Sequence, residues 1–126
     1  MISVLPCNEK ERVAALYAEE SLPFSAESCA VIAREGTKEL GYCLFDFKKD
    51  RVMVRSLRPQ SDLALADGIL RSALHVAICR GVIQAFYAPD APEKLFLKLG
   101  FVENADKRTL DITKLFKKCA GCSKNA

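Results

Sequence analysis

The pattern of hydrophobic and polar positions predicts a strand and then a helix at the start of the chain. Ile2–Leu5 is a short apolar run, and Pro6 ends it because proline lacks the N–H group that a strand needs. Asn8 is a suitable cap for a helix that extends to about Glu20, along which apolar residues recur on one side. The chain is therefore expected to begin with a β–α unit.

Three strand-like segments follow in succession: Ser28–Arg34, Leu40–Phe47 and Arg51–Leu57. Short polar segments separate them, and these suit the tight turns of β-hairpins. We therefore predict an antiparallel meander. One face of its third strand is expected to be the more apolar, and that face consists of Val52, Val54 and Ser56.

The strongest helical periodicity in the sequence begins after Pro59. Its apolar positions are Leu63, Ala66, Ile69, Leu70, Ala73, Leu74 and Ala77. Ser61 or Asp62 can cap this helix, and Gly81 suits the left-handed conformation at its end. Gly68 lies inside the helix, where glycine costs about 1 kcal/mol relative to alanine. We therefore expect Gly68 to serve close packing or a ligand that approaches the backbone.

The last part of the chain alternates between strands and a short helix. Val82–Ala88 is apolar throughout, which is typical of a central strand that is covered on both faces. A short helix is predicted over about Ala91–Leu99, with Pro92 in its first turn. Phe101–Glu103 and Thr109–Ile112 can form a final hairpin.

Length, charge and hydropathy narrow the class of protein. The chain has 126 residues, the usual size of one domain, and we assign that domain to residues 1–118 and a tail to residues 119–126. The net charge of +3 is small, so nucleic acid is not an expected partner. The longest uncharged stretch, Gly81–Pro89, is too short for a membrane helix. Since the N-terminus does not resemble a secretion signal, we expect a cytoplasmic protein that does not bind membranes.

Three of the six cysteines lie within apolar segments: Cys29, Cys43 and Cys79. Free cysteine is among the most buried residue types. We therefore expect reduced thiols that pack in the core.

Cys119 and Cys122 form a C-x-x-C pair near the end of the chain. This spacing suits two zinc ligands or a redox dithiol. A closed zinc site needs four ligands, and the remaining candidates, Cys7 and His75, are far away in sequence. We therefore assign no metal site, although metal binding by this pair stays open as the alternative.

Three segments carry a resemblance to a known family: Val54–Pro59, Asp67–Leu74 and Glu93–Phe101. With the order of elements, they resemble the GNAT superfamily of N-acetyltransferases over almost the whole chain. The resemblance implies an α/β (α+β) fold with a mixed, mostly antiparallel central sheet of about six to seven strands and helices on both faces. It also implies that acetyl-CoA enters a gap between splayed central strands. In that family, backbone N–H groups before the long helix bind the pyrophosphate, since a helix N-terminus favours negative charge.

The resemblance assigns cofactor binding to six residues: Leu57, Arg58, Ser61, Gly68, Ile69 and Leu70. The family's phosphate-loop pattern is incomplete, because Leu65 and Leu70 stand where an amide or basic residue and a small residue are usual. Helical spacing also continues through this segment. We therefore expect an early helix start near Asp62, and a Leu70 side chain that blocks the phosphate site.

The family's frequent general acid, a tyrosine, is matched by Phe96, which has no proton to donate. Tyr87, at the end of the central strand, is the one phenol that we nominate as a catalytic group. Two functions stay open. One is transfer of an acyl group from acyl-CoA to an amine. The other is a catalytically degenerate domain of this fold that binds a small molecule or a partner, including a second copy in a homodimer.

Overall fold

The computed structural model describes residues 1–115. Their helices and strands are β1 (Ile2–Pro6), α1 (Lys10–Glu19), β2 (Ser28–Glu35), β3 (Lys38–Lys48), β4 (Arg51–Arg58), α2 (Leu63–Cys79), β5 (Gln84–Tyr87), α3 (Glu93–Leu99), β6 (Val102–Asn104) and β7 (Thr109–Leu110). Cys119 and Cys122 lie outside the described residues, as does the boundary between domain and tail. No helix within residues 1–115 is long and apolar enough to cross a membrane.

The strands form one seven-stranded sheet in the order β1-β2-β3-β4-β5-β7-β6. β4 and β5 are parallel neighbours, and the other neighbouring pairs of this sheet are antiparallel. A parallel pair needs a crossover connection, and α2 supplies it. The predicted mixed, mostly antiparallel sheet is confirmed, as are the meander and the final hairpin.

Helices cover both faces of the sheet, as predicted. α2 and α3 pack on one face, where residues from β2, β3, β4 and β5 join them in the larger core. α1 packs on the other face, where Val13, Leu16 and Tyr17 contact Ala30 and Leu44. The sheet is therefore the middle of three layers.

The long helix begins as the sequence indicates. Asp62 is its N-cap, and its carboxylate accepts a hydrogen bond from the N–H of Leu65 at 3.1 Å. Of the two expected caps, Asp62 is therefore the one used. Gly81 follows the helix with φ of +78°, a conformation that glycine adopts without strain.

Four local predictions are wrong. α1 is preceded by Glu9 with no side-chain cap, so Asn8 does not cap it. β5 begins at Gln84 because the N–H of Val82 bonds to Ala77 in the turn that ends α2. Cys79 is exposed and Cys29 only partly buried, so Cys43 is the one of the three that is fully buried. Cys79 comes two residues after the buried Ala77, which turns it to the solvent side of the helix.

The fourth error concerns β4. The strand pairing between β3 and β4 passes over Arg55, which is a β-bulge. The extra residue reverses the alternation of side chains, so Leu57 joins Val52 and Val54 in the larger core and Ser56 does not. The predicted apolar face that included Ser56 is therefore interrupted after Val54.

Candidate functional site

β4 and β5 separate halfway along β4. Their pairing covers Arg51–Val54 and Gln84–Tyr87, and it ends where the N–H of Ala88 donates to the carbonyl of Val54 at 2.9 Å. β4 then continues to Arg58, whereas the segment that follows β5 turns away toward α3. Residues 55–58 consequently have no strand partner on the β5 side within the described part of the chain.

A cleft of about 410 Å³ lies at this separation. We use "the cleft" for the space between the end of β4, the segment after α1, and the connection from β5 into α3. Its charged lining residues are Glu20, Arg55, Arg58, Asp90, Glu93 and Lys94. Clefts of about 300 to 1,000 Å³ commonly bind small molecules. The cleft is thus large enough for a small ligand and carries both signs of charge.

Arg55 is the extra residue of the bulge, and its side chain lies on the face of β4 opposite the larger core, where it lines the cleft. Its Nε donates to Oδ2 of Asp46 at 2.7 Å. Asp46 is only 4% exposed, and it also accepts hydrogen bonds from the hydroxyl groups of Tyr17 and Ser28 at 2.9 and 3.0 Å. A buried carboxylate with three donors therefore fixes the direction of the Arg55 guanidinium.

Arg58 is held differently. Its Nε and Nη2 donate to the two carboxylate oxygens of Glu20 at 3.0 and 3.3 Å, and Tyr42 donates to the same carboxylate. Burial opposes ionisation of Glu20, but the hydrogen bonds from Arg58 and Tyr42 outweigh it and hold the pKa of Glu20 below its ordinary value. Glu20 is therefore ionised at neutral pH and forms an ion pair that holds the guanidinium of Arg58.

Tyr87 lies at the end of β5, behind the lining residues of the cleft. Its side chain is 1% exposed, and its hydroxyl donates to Oε2 of Glu93 in the first turn of α3. Burial, and then the hydrogen bond to Glu93, raise the pKa of Tyr87 to about 12. The phenol therefore keeps its proton at neutral pH, and Glu93 connects it to the cleft.

The three predicted cofactor residues on β4 and in the loop before α2 lie near this separation. Arg58 lines the cleft. Leu57 has its side chain fully buried in the larger core, so only its main chain is available there. Ser61 is exposed in the loop between β4 and α2. Their role in cofactor binding stays a prediction.

The three predicted residues on α2 are arranged differently. Gly68 is exposed, and a Cβ atom there would meet nothing within 4 Å, so close packing does not explain this glycine. The side chains of Ile69 and Leu70 are fully buried in the core. The expectation that Leu70 projects into a phosphate site is therefore wrong, because the helix turns it toward the sheet.

Sequence reasoning missed most of the charged groups in the cleft. Asp90 and Glu93 follow the end of a strand with a parallel neighbour, a place where ligands often bind in α/β sheets, and this signal could have found them. The alternation places Arg55 on the polar face of β4, but it does not show that a cleft lies beside it, because the cleft depends on where the pairing with β5 ends. Glu20 comes from a distant segment that only the fold brings close.

We compared the sequence and the structure with those of known proteins. No protein-family model matches the sequence, and no curated protein matches it. Among solved structures, the chain is similar to the ribosomal-protein-S18-alanine N-acetyltransferase of Escherichia coli, at 15% identity, with a TM-score of 0.57 over 86% of this chain and 88% of that one. It is also similar to a GNAT-family acetyltransferase from Streptococcus pneumoniae, at 19% identity, with a TM-score of 0.52 over 80% and 87%.

A third similar structure is the PaiA N-acetyltransferase of Thermoplasma acidophilum in complex with coenzyme A. Its identity is 11% and its TM-score 0.50, over 75% of this chain and 62% of that one. At such identities, structural likeness establishes the fold and leaves the activity open. The chain therefore has the GNAT fold that its sequence resembles.

Proposed function

We propose that this protein is an N-acyltransferase that moves an acetyl or other acyl group from acyl-CoA to an amine. The observation that supports the proposal is the separation of β4 from β5 after Val54, beside a charged cleft. The unpaired main chain of residues 55–58 offers hydrogen-bonding groups for an acyl-CoA in this gap. The acceptor amine enters through the cleft.

The cofactor's phosphates would lie at the start of α2. The N–H groups of Leu63 and Ala64 are in the first turn, where the helix provides no partner for them. Gly68 follows Ala64 by one turn on the same exposed side of the helix, and the missing side chain leaves that side open. Together with the main chain at Leu57, Arg58 and Ser61, these groups form the proposed donor site. Ile69 and Leu70 contribute core packing to it.

The chemistry requires a proton to move from the amine to the leaving thiol. The amine nitrogen forms a bond to the thioester carbonyl carbon, and the carbon–sulfur bond breaks. In the proposed mechanism, Glu93 accepts the amine's proton and Tyr87 donates its own proton to the thiolate. The hydrogen bond between these two groups then returns a proton from Glu93 to Tyr87. Correct positioning of the two reactants would contribute about 7 to 11 kcal/mol more.

A second candidate function is a non-catalytic GNAT-fold domain that binds a different small molecule. Asp62 favours it, since its carboxylate caps α2 where a phosphate would otherwise bind. A negative charge at this position repels an anionic cofactor. Phe96, fully buried in the core, also leaves the family's usual acid position without a proton.

Calorimetric titration with acetyl-CoA and an assay of thiol release with a panel of amines test the proposal. We expect saturable acetyl-CoA binding and amine-dependent thiol release. Tyr87→Phe should lower kcat by about 10²-fold or more and leave acetyl-CoA affinity nearly unchanged. The comparison variant is Tyr42→Phe, which also removes a phenol bound to a carboxylate, in this case Glu20 rather than Glu93. Absence of acetyl-CoA binding would favour the second candidate.

A further inference from the structure

The two arginines of the cleft differ in how much of each guanidinium is in use. Arg58 donates to Glu20 through both Nε and Nη2. Arg55 donates to Asp46 through Nε alone. Its two terminal nitrogens make no hydrogen bond with any residue of 1–115, and neither is buried without a partner. Arg55 therefore presents two oriented donors to the cleft.

A planar pair of N–H donors is the arrangement that binds a carboxylate through both of its oxygens. Asp46 holds the guanidinium by its inner edge, so the side chain loses little additional freedom when it binds a ligand. Lys94, which makes no ion pair with any residue of 1–115, adds a second positive charge to the lining. This part of the cleft is therefore suited to an anionic group.

The cleft also carries two carboxylates that could bind a positively charged group. Asp90 makes no ion pair with any residue of 1–115, and Glu93 receives one hydrogen bond, from neutral Tyr87. Asp90 lies on the connection from β5 to α3 and Glu93 in the first turn of α3, where the proposed mechanism needs the amine. A ligand that satisfies both parts must carry an ammonium and a carboxylate on one small body.

We infer that the acceptor is a free amino acid, whose carboxylate binds the terminal nitrogens of Arg55 and whose ammonium binds at Asp90 and Glu93 and loses one proton to solvent before the neutral amine attacks. The inference rests on the proposed function only for the acylation of the amine. Binding of the amino acid in the cleft does not depend on acyl transfer. A cavity of about 410 Å³ accommodates such a ligand beside the acyl group, whereas a simple amine would leave the donors of Arg55 unsatisfied.

Binding of the standard protein amino acids is measured first, by calorimetry or ligand-observed NMR without any acyl-CoA. Each amino acid is compared with its carboxamide, which keeps the amine and removes the negative charge. For at least one amino acid we expect the free acid to bind about ten-fold more tightly or better than its carboxamide. Equal binding of the two forms, or binding of neither for every amino acid, overturns the inference.

Arg55→Gln should reduce the ratio between acid and carboxamide nearly to one. The matched control is Arg51→Gln, on the same strand but outside the cleft, and this variant should keep the ratio. A full ratio retained in Arg55→Gln contradicts the inference. If Arg55→Gln does not fold, the comparison of acid and carboxamide in the unaltered protein still decides the question.

The same ligand pairs then separate this inference from the proposed function. A preference for the free acid without any thiol release would contradict acyl transfer and support amino acid binding. Thiol release with simple diamines that is as fast as with amino acids would support acyl transfer and contradict the amino acid acceptor.

Discussion

The two faces of the sheet are built from the same strands, but one face forms an apolar core and the other carries charged side chains at the cleft. On the α2 side, β4 contributes Val52, Val54 and Leu57 to a continuous apolar core. On the α1 side, the end of the same strand carries Arg55 and Arg58, which are held by buried or half-buried carboxylates. One bulge residue separates the two arrangements. A single register change thus turns Leu57 into the core and Arg58 to the α1 side, so that the end of a core strand lines a charged cleft.

The sharpest way to test the apolar face is Leu70→Ala. Leu70 is fully buried, so its truncation leaves a cavity between α2 and the sheet. We expect the free energy of unfolding to fall by about 2 to 5 kcal/mol, as measured by urea denaturation. Leu97→Ala, at a position 51% exposed, should change it by no more than about 0.5 kcal/mol. Acetyl-CoA binding that appears only in Leu70→Ala would restore the idea that this side chain blocks a site.

Asp46→Asn tests the polar face in the same way. The substitution keeps a side chain of similar size but removes the charge that faces Arg55. We expect a loss of about 2 to 3 kcal/mol in the free energy of unfolding, because Asp46 is buried and accepts three hydrogen bonds. The exposed Asp106→Asn is its control. Equal stability of the two variants would mean that the Asp46 cluster does not hold the cleft together.

Two glycines allow a matched comparison at the junction between the faces. A Cβ atom on Gly41 would lie 2.4 Å from the carbonyl oxygen of Arg58, so Gly41→Ala must displace the end of β4. We expect a loss of about 1 to 3 kcal/mol. Gly68→Ala meets no neighbour and should stabilise the protein by up to about 1 kcal/mol. The midpoints of denaturant unfolding measure both, and a Gly41→Ala variant as stable as the unaltered protein would contradict the packing around Gly41.

The smallest expected effect is the pH dependence of Glu20. Its pKa in the folded protein lies below the ordinary 4.5, so its contribution is present above that pH and is lost as the pH falls through the folded value. Glu20→Gln should therefore destabilise the protein by about 1 kcal/mol or less near pH 7 and by almost nothing in acid. Unfolding measured across this range checks the trend, with the exposed Glu103→Gln as control. If the stability difference between Glu20→Gln and the unaltered protein grows toward low pH, the pKa of Glu20 is not lowered in the folded protein.

Features that depend on residues close together in the sequence were predictable, whereas contacts between distant residues were not. The long helix was readable because seven apolar residues repeat at helical spacing, and Asp62 stands where a cap belongs. The hairpins were readable from short polar turns. Tyr87 was correctly placed at the end of the strand beside the gap, but its partner Glu93 was missed, since their contact depends on how α3 begins. Cys79 was misplaced because a count of apolar neighbours does not show which side of a helix faces water.

The order of elements, the antiparallel meander and the apolar face of α2 depend on residues a few positions apart, so they can be predicted from the amino-acid sequence alone. The assembled sheet was needed to show that the bulge turns Arg58 to the α1 side, that Glu20 binds Arg58, and that Asp46 holds Arg55. These contacts join residues from different elements, and the bulge that directs them arises from pairing with β3. Local periodicity carries no information about such pairing, so the charges of the cleft become visible only once the sheet is assembled.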